Sequence, residues 1–176
     1  MITFEIKSGK AVLSDPCYNL GTWCQAVLEN VRNGKYAVVM EEDPDTGRVA
    51  SLLAYNIQSL ATNPNIEHEL WTSNPLPQVA GVDSGQFGFF DHDAYRNDSE
   101  IGNATLYDID IEEDGDKFYS ACCHLTLTKN QYGVLPFGVV SSSGWGDGSY
   151  ELRAVKNSYG EYIGFLVIFI DDKDND

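Results

Sequence analysis

Aspartate recurs in three short turn-like segments of this chain. Ser14-Asp15-Pro16-Cys17-Tyr18 lies near the N-terminus, Val82-Asp83-Ser84-Gly85-Gln86-Phe87-Gly88 is followed by Asp91, and Ser143-Gly144-Trp145-Gly146-Asp147-Gly148-Ser149-Tyr150 lies near the C-terminus. Carboxylates are hard oxygen donors, and glycine lets the backbone come close to whatever sits above a turn. If the turns meet at one end of the fold, Asp15, Asp83, Asp91 and Asp147 with nearby backbone carbonyls would hold a hard divalent cation such as calcium or magnesium. Asp15, Asp83, Ser84, Gln86 and Asp147 would then face an organic ligand, with Trp145 and Tyr150 as a stacking wall. The competing reading is structural: an aspartate in a tight turn bonds its own local amides.

Other motifs fall short of a reaction. A calcium loop starting at Asp110 finds acidic oxygens at Glu112 and Asp114 and a glycine at Gly115, but Ala121 stands where a bidentate carboxylate is needed. An ordinary charged hairpin turn explains the segment better. His124-Leu125-Thr126 resembles one half of a two-histidine phosphoesterase signature, and neither His68 nor His92 supplies the other half. Ser84 lacks the Gly-x-Ser-x-Gly spacing of a nucleophile elbow.

Composition narrows the class. With 176 residues, 43% of them hydrophobic, the chain is long enough for a single domain with a real core. Eleven Lys and Arg against 27 Asp and Glu leave a formal charge of −16. Direct nucleic-acid binding is disfavoured, because phosphate contacts need clustered cations, and so is an anionic membrane surface. A solvated acidic surface, a bound cation, or a face presented to a basic protein each fit the charge. The apolar run Ile163–Ile170 is far shorter than a membrane span. No secretory signal is visible, so the cytoplasm is the expected compartment, with Cys17, Cys24, Cys122 and Cys123 as reduced, mostly buried thiols.

These residues need elements to position them. Short apolar–polar alternations separated by turn signals predict an all-β antiparallel sandwich or jelly-roll-like barrel with few short helices, spanning 1–170 and followed by an acidic tail, 171–176. Ile2–Ile6 and Lys10–Leu13 read as partner strands. Asn33-Gly34 reads as a hairpin turn returning through Lys35–Met40. Val49–Tyr55 should pair back across the Asp43–Gly47 turn. Residues 58–77 read as a surface excursion, and Gln78–Val82 and Gln86–Phe90 as strands joined through Asp83-Ser84-Gly85. Thr105–Ile111 and Phe118–Thr128 read as a hairpin, with Cys122 and Cys123 on opposite faces. Val134–Ser141, Tyr150–Lys156 and a central Tyr162–Ile170 complete the set.

At the three aspartate segments the chain resembles an uncharacterised bacterial and phage family, domain of unknown function 4241. The resemblance is carried by Leu13-Ser14-Asp15-Pro16 with Trp23-Cys24, by Val82 through Gly88, and by Val139 through Tyr150. It implies a soluble β-rich domain and singles out Asp15, Asp83, Gln86 and Asp147. It implies no reaction. Three functions fit these observations. The first is a non-catalytic binding module with ligand or cation contacts at the aspartate turns. The second is an acidic, phage-borne inhibitor of a basic or nucleic-acid-binding host protein. The third is a hydrolase using a carboxylate-bound metal.

Overall fold

The computed structural model of the chain describes residues 1–171; the rest of the acidic tail, 172–176, lies outside the described residues. The strands are β1 (Thr3–Ile6), β2 (Lys10–Ser14), β3 (Ala26–Glu29), β4 (Gly34–Glu42), β5 (Val49–Asn56), β6 (Val79–Val82), β7 (Gln86–Asp91), β8 (Tyr132–Leu135), β9 (Gly138–Ser142), β10 (Gly148–Lys156) and β11 (Tyr162–Ile168). Two α-helices, α1 (Ile66–Thr72) and α2 (Asp116–Thr126), interrupt them. The strands form two sheets, six-stranded in the order β1-β4-β5-β11-β10-β6 and five-stranded in the order β3-β2-β7-β9-β8. Every strand pairing within them is antiparallel. The all-β sandwich expected from the pattern is the observed architecture.

The facing sides of the sheets bury the main core. Phe4, Tyr36 and Phe165 stack from strand to strand across the six-stranded sheet, at ring separations of 5.6 and 5.5 Å. Phe89 of the five-stranded sheet meets Phe165 at 5.6 Å, joining the layers. Each outer face carries a helix. α1 lays Ile66 and Leu70 on Leu53, Val155, Ile163 and Leu166 of the six-stranded sheet. α2 packs Phe118, Ala121 and Cys122 on Val12, Phe90 and Val140 of the five-stranded one. The sheet edges are tied on both sides. Gly81 N–H donates to the Cys24 carbonyl (2.8 Å), and Glu5 N–H to the Pro136 carbonyl (3.0 Å).

Several expected pairings are corrected. β1 and β2 do not pair: β1 pairs with β4, and β2 with β3 and β7. Asn33-Gly34 does not close a hairpin, because β3 and β4 lie in different sheets. The turn is real, with Gly34 at φ +131°, but it carries the chain between layers. Asn33 Oδ1 accepts the Gly9 amide (2.7 Å) and fixes that crossing. Likewise β6 and β7, joined through Asp83-Ser84-Gly85, belong to opposite sheets. The β4–β5 hairpin forms as expected, and β11 sits inside its sheet between β5 and β10. The excursion after β5 contains α1.

The expected hairpin of Thr105–Ile111 with Phe118–Thr128 does not exist. Residues 105–111 form no strand, and the second segment is α2, with Cys122 and Cys123 both buried on it and His124 in its last turn. Phe118, Ala121, Cys122 and Leu125 fall at helical spacing and face one cluster, which outweighs the β propensity of the segment. Asp98 anchors the helix start by accepting the Gly115 and Phe118 amides at 3.0 and 2.9 Å. Asp116 accepts the Glu112 and Glu113 amides, which holds its carboxyl below the usual range. Val134–Ser141, read as one strand, is the β8–β9 hairpin.

Phe90 packs in the gap left by glycine. A Cβ on Gly88 would stand 2.2 Å from the Val139 carbonyl oxygen and 2.6 Å from the Phe90 ring. Gly88→Ala is therefore expected to cost about 1–3 kcal/mol, read as a lower urea midpoint at unchanged slope. An unchanged midpoint would contradict this packing.

Candidate functional site

The three aspartate segments meet. Asp15 follows the last residue of β2 and is fully buried. One of its oxygens, Oδ1, accepts the Cys17 amide (2.9 Å) and the Ser84 hydroxyl (2.6 Å); the other, Oδ2, accepts the Asp83 and Ser84 amides, both at 2.8 Å. A carboxylate offers about four lone-pair sites, so this one is filled by the protein. The end of β2 thereby clamps the turn that takes the chain from β6 to β7. Tyr18 Oη donates to Asp83 Oδ2 (2.8 Å), closing the clamp from the outside. Asp147 reaches the same turn by accepting the Gly85 amide at 3.2 Å, and the Ser143 amide donates to the Gly85 carbonyl at 3.0 Å.

Gln86 extends the network to α2. Its Nε2 donates to Cys123 Sγ (3.4 Å), and its Oε1 accepts the Thr126 hydroxyl (3.1 Å). Behind Asp15, Gln25 Nε2 donates to Ser14 Oγ (2.8 Å), and the Tyr95 hydroxyl lies 2.6 Å from the Tyr18 carbonyl and 3.0 Å from that of Asp15. Arg96 Nη1 donates to the Pro16 carbonyl (2.6 Å). Among the described residues, no buried side-chain nitrogen or oxygen lacks a partner.

Not every expected residue joins. Asp91 ends β7, whereas Asp15 lies beyond the other end of the β2–β7 pairing, roughly 13 Å away along the strand direction. Asp91 accepts the Lys7 amide (2.9 Å) and the Ser8 hydroxyl. The four-carboxylate cation set of Asp15, Asp83, Asp91 and Asp147 is therefore not assembled. Among the described residues, no group of three or more His, Cys, Asp and Glu is placed to hold a metal ion. Trp145 lies under the Arg48 guanidinium, 5.3 Å from the ring centre. Tyr150 packs edge-on against Phe169 and donates to the Gly146 carbonyl. Both aromatics line a separate shallow hollow with Ile168 and Asp171 and do not wall the aspartates.

Sequence reasoning missed Gln25, Tyr95, Arg96 and Cys123. Tyr95 and Arg96 sit in a polar stretch with no pattern to mark them, Gln25 is a lone polar residue within the apolar run Trp23–Leu28, and Cys123 lies on a helix whose sequence reads as a strand. The serine of the turn was legible through its neighbours.

The chemistry open to this cluster is limited. The Cys17 thiol is pushed up to about 12, first by burial and then by the Asp15 carboxylate, so it stays protonated at neutral pH. Burial raises the phenols of Tyr18 and Tyr95, and pushes Tyr119, beside Cys123, up to about 12. None of the three histidines hydrogen-bonds to the cluster; His92 Nδ1 faces Asp93 at 3.0 Å. With this geometry established, the chain matches no protein-family model, no curated protein and no solved structure.

Two outcomes follow. Asp15→Ala strands three backbone amides and a hydroxyl, each such loss costing about 1–3 kcal/mol, so a total of at least about 3 kcal/mol is expected in denaturant melts. Asp147→Ala removes one contact at an exposed turn and should cost about 1 kcal/mol. Comparable losses in the two variants would contradict the clamp. The pH dependence has a definite sign. The Cys17 acid is weaker in the folded state, about 12 against 9.0, so its contribution is fully present below pH 9.0 and is lost as pH rises toward 12. Stability measured across that window should fall, and less steeply in Cys17→Ser; an identical slope would contradict the assignment.

Proposed function

We propose that this chain is a non-catalytic binding module that engages a basic protein. One observation carries the first half of the reading: the polar cluster where a reaction would be built is spent on internal hydrogen bonds. The Asp15 carboxylate receives four protein donors, Ser84 donates to it, and the Cys17 thiol is held protonated. A cysteine nucleophile acts as its thiolate, and burial beside the Asp15 carboxylate keeps Cys17 a thiol. The resemblance to domain of unknown function 4241 agrees with this reading. It rests on the same segments and implies no reaction.

The second half rests on charge. A net −16 on a compact sandwich produces a negative field that steers cationic partners and repels nucleic acid. An acidic inhibitor of a nucleic-acid-binding protein is one form such a module takes. Among the described residues, no helix is long and apolar enough to cross a membrane.

Affinity capture, followed by titration with the purified partner, tests the reading. The partner is expected to be basic, to be released chemically unchanged, and to bind about tenfold or more weakly when salt rises from about 0.1 to about 0.3 M. A partner held without salt dependence, or covalently altered by the chain, would contradict it.

A further inference from the structure

α1 covers only part of the outer face of the six-stranded sheet. Beside it a cleft of about 560 Å³ remains open, with Ser51 and Ile168 among its lining residues, Trp71 and Arg153 from α1 and β10, and Glu41 and Glu42 from the end of β4. The strand register slips between Glu41 and Glu42, and both consecutive glutamates line the cleft rather than alternating across the sheet.

The charges there do not cancel. Arg153 is engaged on every side: Nε and Nη2 meet Glu151 Oε2 at 2.8 and 2.7 Å, and Nη1 donates to the Trp71 carbonyl. That arrangement neutralises Glu151 and fastens the end of α1, with Trp71, to the sheet. Asp43 is buried and accepts the Thr46 amide and hydroxyl. Glu41 and Glu42 are exposed, and among the described residues neither has an ion-pair partner. Two exposed carboxylates and a half-exposed indole thus line one concave surface. The cleft shares Ile168 and Asp171 with the hollow walled by Trp145 and Tyr150, so the two hollows adjoin at the sheet end.

We propose that this cleft docks a lysine- or arginine-bearing segment of a protein partner, its cations at Glu41 and Glu42 and its length running past Trp71. The inference rests on the reading of the chain as an acidic binding module and adds the surface that does the binding. Charge complementarity names the occupant: two unpaired carboxylates favour a cation, and an indole face adds cation–π attraction once the cation is partly desolvated. Two adjoining hollows favour an extended segment over an isolated small cation.

The test uses the whole protein, an arginine-rich peptide of about eight residues, and spermine as a free cation, at low ionic strength. Indole emission and calorimetry report binding. Glu41→Gln with Glu42→Gln is expected to weaken the peptide at least about tenfold. Glu112→Gln with Glu113→Gln removes the same charge from the α2 side, on the opposite face of the sandwich, and should change affinity by no more than about twofold. Trp71→Phe should lose the emission change while still binding. Equal weakening by both double variants overturns the cleft and leaves the acidic-module reading standing. Failure of the native protein to bind the peptide overturns both. Spermine binding as tightly as the peptide, with the same dependence on Glu41 and Glu42, overturns a protein segment as the occupant.

Discussion

A buried carboxylate must be satisfied or it destabilises the fold, and Asp15 is satisfied by donors drawn from two distant parts of the chain. Its four hydrogen bonds join the end of β2 in one sheet to the turn by which the chain leaves the other. Around that clamp the remaining polar residues arrange themselves in turn. Tyr18 and Asp147 hold the turn from outside, Gln86 connects it to α2, and Tyr95 and Arg96 hold the loop that carries Asp15. The network sits where the two sheets exchange the chain, which is the place a sandwich most needs a fixed geometry.

Residues that look like a site in sequence thus hold one another by hydrogen bonds in three dimensions. Aspartate, serine and glycine in tight turns are what ligand sites use, and they are equally what a buried turn uses to satisfy its amides. What separates the two cases is whether the oxygens point at solvent or at protein donors. Here the Asp15 oxygens point at protein, and a concave surface lined by the exposed Glu41 and Glu42 lies elsewhere, beside α1. Recognition at Glu41, Glu42 and Trp71 draws on residues that the core does not need.

Much of the fold was legible from period alone. The alternation in Ile2–Ile6 and the apolar run at Tyr162–Ile168 are strands because a half-buried or central strand demands those patterns, and the Asp43–Gly47 turn returns the chain through Val49–Tyr55. Pairing was not legible where a turn signal marked a crossing. Gly34 and Gly85 both adopt positive φ, as a hairpin glycine would, yet each leads to the opposite sheet. A turn residue specifies local backbone, and the destination of the next strand depends on which face must be buried. Residues 105–111 show the converse: they alternate yet form no strand, and the segment is tied to α2 instead, where the Ser120 hydroxyl donates to the Tyr107 carbonyl. In the cluster, Asp15 and Asp147 meet the Asp83–Gly85 turn, one of the two readings the sequence allows, whereas Asp91 lies at the far end of β7. One residue at each end of a six-residue strand cannot share a site, a fact that needed only the strand's length once its pairing was known.

The clamp is tested most directly by native-state hydrogen exchange at the amides of Cys17, Asp83 and Ser84. If the Asp15 carboxylate holds both turns closed, all three exchange only with global unfolding, at the rate set by the most protected core amides of β7 and β11. Fast exchange at Asp83 and Ser84, with the core still protected, would show that the turn opens on its own and would contradict a structural role for the cluster.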